Sequence, residues 1–400
     1  MASESVSPGR FEFARHPVFA LGFRPFYLLA AIFAAIALPL WIASYVGIVQ
    51  VDGYLNGVAW HSHEMVFGFA TAVIAGFLLT AVRHWTGQQT PTGAWLAGLA
   101  ALWVLARVLA LTGPACPAAF VDVAFLPVLG LAVAIPIWRS KDTKNYKILV
   151  VLGGLTVANV LYHLAYLNML PAGFTRIAIT AALDVITILI AVVSGRVIPA
   201  FTANAIAAAK PRHIWSVEAV SLGSLVLVLT AGILNTWYPL PTWAWVGLLA
   251  TAAFAHTVRL LLWEPYHKHR DALLWMLPVA YAWIPITLAL RAYAQVVVFP
   301  SAAAIHALTL GAMGGLMVAM MMRSALGHTG RIVTAGSAEI ATFTLVQLAA
   351  IGRVLSGFIR PELYQGAVIS SGVLWFLAFV VFLFRYWPIL TRSRVDGKPG

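Results

Sequence analysis

Twelve separate runs of about twenty apolar residues leave this 400-residue chain few folds to choose from. In hydrocarbon every backbone N–H and C=O must be satisfied within its own segment, so runs of this length fold as helices. They are expected at roughly 25 to 48, 62 to 83, 93 to 112, 118 to 138, 146 to 169, 176 to 199, 214 to 235, 241 to 263, 272 to 294, 302 to 323, 336 to 359 and 365 to 387. No interval between them is long enough for a soluble domain. Only 10% of the residues are charged, against roughly 25% in a soluble protein. The expectation is an all-α polytopic membrane protein of about twelve transmembrane helices. Residues 25–388 form its single membrane domain, between a cytoplasmic N-terminal segment 1–24 and a cytoplasmic tail 389–400.

Assigning Lys and Arg to alternate sides of these spans tests the count. Twenty of the 25 fall on one side, including Arg10, Arg15 and Arg24, the group Arg139 to Lys147, Lys268, Arg270 and the tail from Arg385. The other side keeps Arg107, Arg176, Arg291, Arg353 and Arg360. The positive-inside rule makes the first side cytoplasmic and places both termini there. It also accounts for the net charge of +12, so nucleic acid is not an expected partner. The first 24 residues interleave Arg10, Arg15 and Arg24 with Phe11, Phe13 and Phe19 and read as a retained segment on the membrane surface.

A single cysteine, Cys116, excludes an intramolecular disulfide, a Cys-ligated iron–sulfur cluster and c-type haem attachment. Any electron carrier is therefore held noncovalently or by histidine. Ionisable residues inside a span are site candidates by default. His61, His63, His163 and His306, with Arg107, Arg291 and Arg353, share the outer level, a pattern suited to histidine-ligated b-type haem with arginines on its propionates. Around Trp60-His61-Ser62-His63-Glu64-Met65, α-helical geometry turns His61 and His63 about 200° apart, so one helix can serve two centres. Glu64, about 60° from His61, is placed to orient that ring or carry protons.

In the tenth run the helical wheel puts His306, Met313, Met317 and Met320 on one face, with Gly311 and Gly315 opposite for close packing. Asp184 and Glu218 are taken as the remaining buried acids. A second basic cluster, Arg83, His84, Arg196, His256, Arg259, Arg323, His328 and Arg331, gathers on the cytoplasmic side. Topological anchoring explains it, and so does a second haem, a metal or an anionic headgroup.

Several phrases together resemble the NnrS family of bacterial haem- and copper-containing membrane proteins of the nitric oxide response. They are Leu21-Gly22-Phe23-Arg24-Pro25-Phe26, Trp60-His61-Ser62-His63-Glu64-Met65, Gly76-Phe77-Leu78-Leu79-Thr80-Ala81-Val82, Gly195-Arg196-Val197-Ile198-Pro199-Ala200-Phe201-Thr202 and Leu326-Gly327-His328-Thr329-Gly330-Arg331. The resemblance implies haem b, copper, a bacterial inner membrane and a ligand site at His61 and His63. The leading functional expectation is reduction of nitric oxide to nitrous oxide with electrons from quinol, with Glu64 and Asp184 as proton donors. Two others stand beside it: a non-catalytic protein that binds NO or handles haem or metal, and a twelve-helix secondary transporter.

Overall fold

The computed structural model describes residues 16–51, 53–141, 143–266 and 271–398. Arg10, Phe11, Phe13, Arg15, Lys268 and Arg270, and with them most of the expected N-terminal segment, lie outside the described residues. Among the described residues there is no strand, and twelve helices are long and apolar enough to cross a membrane: α1 (Phe23–Tyr45), α2 (Gly57–Thr86), α3 (Gly93–Thr112), α4 (Ala115–Ser140), α5 (Thr143–Tyr166), α6 (Gly173–Ala205), α7 (Trp215–Leu234), α8 (Thr242–Leu262), α9 (Ala272–Tyr293), α10 (Ser301–His328), α11 (Ser337–Leu355) and α12 (Pro361–Thr391). The protein is an all-α, multi-pass membrane protein.

An even number of crossings returns the chain to the side on which it began. At that side the Arg24 guanidinium, at the head of α1, donates to the carbonyls of Leu390 (3.1 Å) and Arg392 (2.7 Å) at the foot of α12. The helices are not equally enclosed. Protein covers 83% of the most apolar window of α2 and 72% of that of α10, against 22% for α7, so α2 and α10 form the interior and α7 faces lipid.

Lipid supplies no hydrophobic force between helices, so close approach and hydrogen bonds hold them. In α1, Ala30, Ala31 and Ala34 are fully buried, and the Trp375 indole N–H of α12 donates to the Ala34 carbonyl at 3.2 Å. The α9 helix bends at Ala282. Pro285 lacks the N–H that would bond the Tyr281 carbonyl, and its ring crowds that carbonyl. The bend lays the Trp283 indole over Gly311 of α10, where a β-carbon would overlap the ring.

Both interior helices carry a π-helical stretch directly after a histidine: Glu64–Ala70 follows His63, and Ala307–Gly314 follows His306. Bonding from i to i+5 adds a residue per turn and shifts the phase of everything beyond it. The expected methionine face of α10 therefore does not extend from His306. Met313 and Met317 are packed in the core, while Met320 lines a cavity toward the basic side.

Leucine at 311 collides with Trp283, whereas alanine at 153, where a β-carbon meets nothing, is harmless. Gly311→Leu is expected to cost about 1–3 kcal/mol as an overpacked core does. In detergent, thermal unfolding of the purified variant should come measurably earlier, with Gly153→Ala unchanged.

Candidate functional site

One acid stands alone near the N-terminal end of α4. Asp122 is 2% exposed, and α2, α3 and α5 all send polar groups to it. Arg107 of α3 pairs through Nη2 with Asp122 Oδ1 and through Nη1 with Glu64 Oε1 of α2, the latter at 2.8 Å. Asn159 of α5 donates to Asp122 Oδ2 at 2.8 Å. Around the same oxygen stand His163 Nε2 at 2.9 Å and His63 Nε2 at 3.3 Å. All of these side chains are buried.

The opposite ring nitrogens are anchored from outside. His63 Nδ1–H donates to Glu64 Oε1 at 3.0 Å, and His163 Nδ1 lies 3.1 Å from the Tyr54 hydroxyl. This is the arrangement of metal-binding histidines, with Nδ1 held by a second group and Nε2 turned inward. One ligand atom from each of His63, Asp122 and His163 fits within 4.8 Å of the others.

The electrostatics leave room for a cation. Glu64 and Asp122 bring two negative charges and Arg107 brings one positive, so neutral histidines leave the cluster one positive charge short. His63 shows the same deficit locally. A neutral ring has one N–H, yet its two nitrogens face Glu64 Oε1 and, at 3.1 Å, Asn159 Oδ1. A metal ion at Nε2 or a second proton on the ring removes the mismatch. Glu64 Oε2 is buried and, among the described residues, has no hydrogen-bond partner, which leaves it able to take up a proton or meet a bound molecule.

Backbone design makes this convergence possible. A β-carbon on Gly68 would lie 3.0 Å from Arg107 Nη1 and 3.2 Å from Glu64 Oε2, in the path of the ion pair. The Gly68 carbonyl, inside the π stretch, accepts the Trp103 indole N–H at 3.1 Å, and the Arg107 guanidinium lies 5.7 Å from the Trp103 ring centre.

Two residues earlier on α2, His61 points away from this cluster, toward α1 and α10. It stacks on Trp41 at 4.2 Å and lies nearly parallel to His306, at 13° with centres 6.5 Å apart. Among the described residues the His61 ring makes no hydrogen bond, and its Nδ1 is buried without a partner. His306 Nδ1–H donates to the Ala302 carbonyl at 2.6 Å, which leaves the lone pair on Nε2. Imidazole–metal bonds of about 2 Å put the centres of two rings sharing one ion about 6 Å apart. The His61–His306 separation is of that order, and His63, Asp122 and His163 bring three ligand atoms together on another side of α2.

Of the remaining candidates, Arg353 acts electrostatically on both His61 and His306 while donating to Ser356 Oγ at 2.6 Å and to the Tyr364 hydroxyl at 2.7 Å. Arg291 of α9 pairs with Asp184 of α6 at 2.7 Å, so these two neutralise each other apart from the histidines. Glu64 serves His63 instead of His61. On the basic side Glu218 grips Arg259 at 2.9 and 2.6 Å, and Arg259 also donates to the Tyr281 hydroxyl. His256, fully buried, is bonded to Tyr281 and the Ser221 carbonyl. Of the two acids expected to be buried from the sequence, Asp184 is and Glu218 is not, its side chain being 25% exposed; Asp122 and Glu339, the latter beneath Arg385 and Tyr386, are the buried acids that reading lacks. A lone carboxylate in an apolar run was signal enough for Asp122. Tyr54 and Asn159 carried no comparable signal.

Removing one partner of a buried ion pair costs about 3–5 kcal/mol. Asp122→Asn and Arg107→Met are each expected to destabilise the protein by that order, and the double variant by clearly less than their sum. A double-mutant cycle on thermal unfolding checks this.

A family model described as NnrS protein matches residues 17–394 of the chain. No curated protein matches it.

Proposed function

The chain belongs to the NnrS family, and on that premise we propose that it is a haem- and copper-containing protein of the bacterial inner membrane that reduces nitric oxide to nitrous oxide. The single observation that carries the reading is the division of one helix between two donor sets. His61 with His306, and His63 with Asp122 and His163, lie on different sides of α2 in the outer half of the bundle. Reduction of NO consumes two molecules of NO, two electrons and two protons and yields one N2O and one water. Such a reaction needs a centre that holds both molecules together while the N–N bond forms and a second that stores electrons.

His61 and His306 would hold the haem, and His63, Asp122 and His163 the copper. When bound, the haem would supply electrons and the copper the coordination positions for NO. The chain's own residues do the rest. Asp122 and Glu64 bring negative charge that favours a cation, and Arg107 limits that charge to one unit in excess. Glu64, with Oε2 unpartnered, carries a proton to the reacting oxygen. Tyr54, half-buried and bonded to His163, lies between that cluster and the outer face. NO is apolar and enters through the bilayer, so no polar channel is required. Asp184, tied to Arg291, joins α6 to α9 in this scheme. The basic side, with both termini, faces the cytoplasm.

Visible spectroscopy with metal analysis on the purified protein is expected to separate the two centres. His61→Ala and His306→Ala should lose the haem spectrum and keep most of the copper, while His63→Ala and Asp122→Ala should do the reverse. Anaerobic incubation with NO and a quinol should yield N2O from the wild type and less than one tenth as much from Glu64→Gln. Intact haem and copper without N2O would reduce the proposal to NO binding, and a colourless, metal-free protein would remove it in favour of transport.

A further inference from the structure

At the basic end of α10 lies a cavity of about 360 Å³ with aromatic walls, Tyr27, Phe77 and Phe201, closed by Met320, Arg323 and His328. It falls within the size range of small-molecule sites. Fourteen residues of α10 separate Met320 from His306, roughly 20 Å at 1.5 Å per residue, so this is a second place in the bundle and no annex of the first.

Four phrases singled out in the sequence, and left unused by the histidine sites, meet here. Segment 76–82 gives Phe77 and Thr80, segment 195–202 gives Phe201, and segment 326–331 gives Gly327 and His328. From segment 21–26 comes Phe23, its ring centre 5.6 Å from that of His328.

The polar groups of the wall are mostly spent on one another. Tyr27 donates to Ser324 Oγ at 3.2 Å, Ser324 donates to the Met320 carbonyl, and Thr80 donates to the Gly76 carbonyl at 2.8 Å. Arg323 and His328 are different: among the described residues neither side chain makes a hydrogen bond. Arg323 lies flat on the Phe201 ring, 3.9 Å from its centre. The cavity thus offers an occupant flat aromatic surfaces and two donors. A phosphate would want several cations and no acid nearby. Here Asp271 acts on Arg323 electrostatically, His84 and Arg394 act on His328 without being part of the wall, and the rest of the wall is largely apolar. A neutral ring carrying oxygen acceptors suits the surroundings better.

We propose that this cavity binds the headgroup of a membrane quinone or quinol, with its ring among Tyr27, Phe77 and Phe201 and its oxygens accepting from Arg323 and His328. Its role as the store of reductant rests on the nitric oxide reading; its occupancy does not. Phe77, Phe201 and Met320 are only half-buried, which leaves the cavity open for a lipid-borne ligand to reach.

The test is a binding titration of the full-length protein in phosphatidylcholine nanodiscs with a fluorescent alkyl-hydroxyquinoline N-oxide, displaced by decylquinone. Saturable binding is expected, weakened at least tenfold in Arg323→Ala and His328→Ala, partly restored in Arg323→Lys, and abolished when Phe77→Trp fills the cavity. Metal content and visible spectrum should stay at wild-type values throughout, showing that the variants fold and that the histidine sites are separate. Equal affinity in Arg323→Ala and wild type, or no saturable binding at all, would overturn the assignment. So would displacement by phosphatidylglycerol but not by decylquinone, which would make it an anionic-headgroup site. Loss of N2O formation with binding intact would count against the proposed reaction and leave the quinone site standing.

Discussion

Glu64 and Asp122 share one guanidinium, that of Arg107, inside a bundle that lipid surrounds. An unpaired charge there costs several kcal/mol, so these three side chains cannot separate without large loss, and α2, α3 and α4 are fixed in register. Asn159 and His163 add α5 to the same knot. The pairing also decides which imidazole nitrogens point inward. Because Glu64 takes the His63 Nδ1–H, the Nε2 atom is left facing Asp122. Fold and chemistry therefore rest on one set of contacts.

The π-helical stretches are the second constraint. Each begins at the residue after a site histidine and each lies in one of the two most enclosed helices. Such a stretch re-aims side chains within a turn and displaces carbonyls from the regular ladder. One displaced carbonyl, that of Gly68, accepts Trp103. Gly68 and Gly311 both lie within these stretches, under Arg107 and under Trp283. The recurrence of a histidine followed five residues later by glycine, at 63 and 68 and again at 306 and 311, thus has the same local structure at both places.

How much of this could be read from the residues depended on which physical rule governed each part. Span length and the asymmetry of Lys and Arg act on single segments, and they located all twelve helices to within a few residues at most ends. The 200° divergence of His61 and His63 needs only regular helix geometry upstream of residue 64, and the two rings do face different partners. Beyond residue 64 and beyond 306 the regular wheel fails, which is why the methionine face of α10 does not extend from His306 as the wheel would have it. Grouping histidines and arginines by depth was too coarse. Depth says nothing about azimuth: Arg353 does act on His61 and His306, whereas Arg291 turns to Asp184. Asp122 was legible and overlooked. Asn159 and Tyr54 become visible only when α5 and the loop before α2 fold against it.

The central claim is that His63, Asp122 and His163 hold a metal ion through nitrogen and oxygen. X-ray absorption at the metal edge of the purified protein examines that shell directly. The account predicts copper with only nitrogen and oxygen neighbours at about 2 Å, two of them imidazole, and loss of one imidazole in His163→Ala. A shell containing sulfur at about 2.3 Å, or an unchanged shell in His163→Ala, would contradict it.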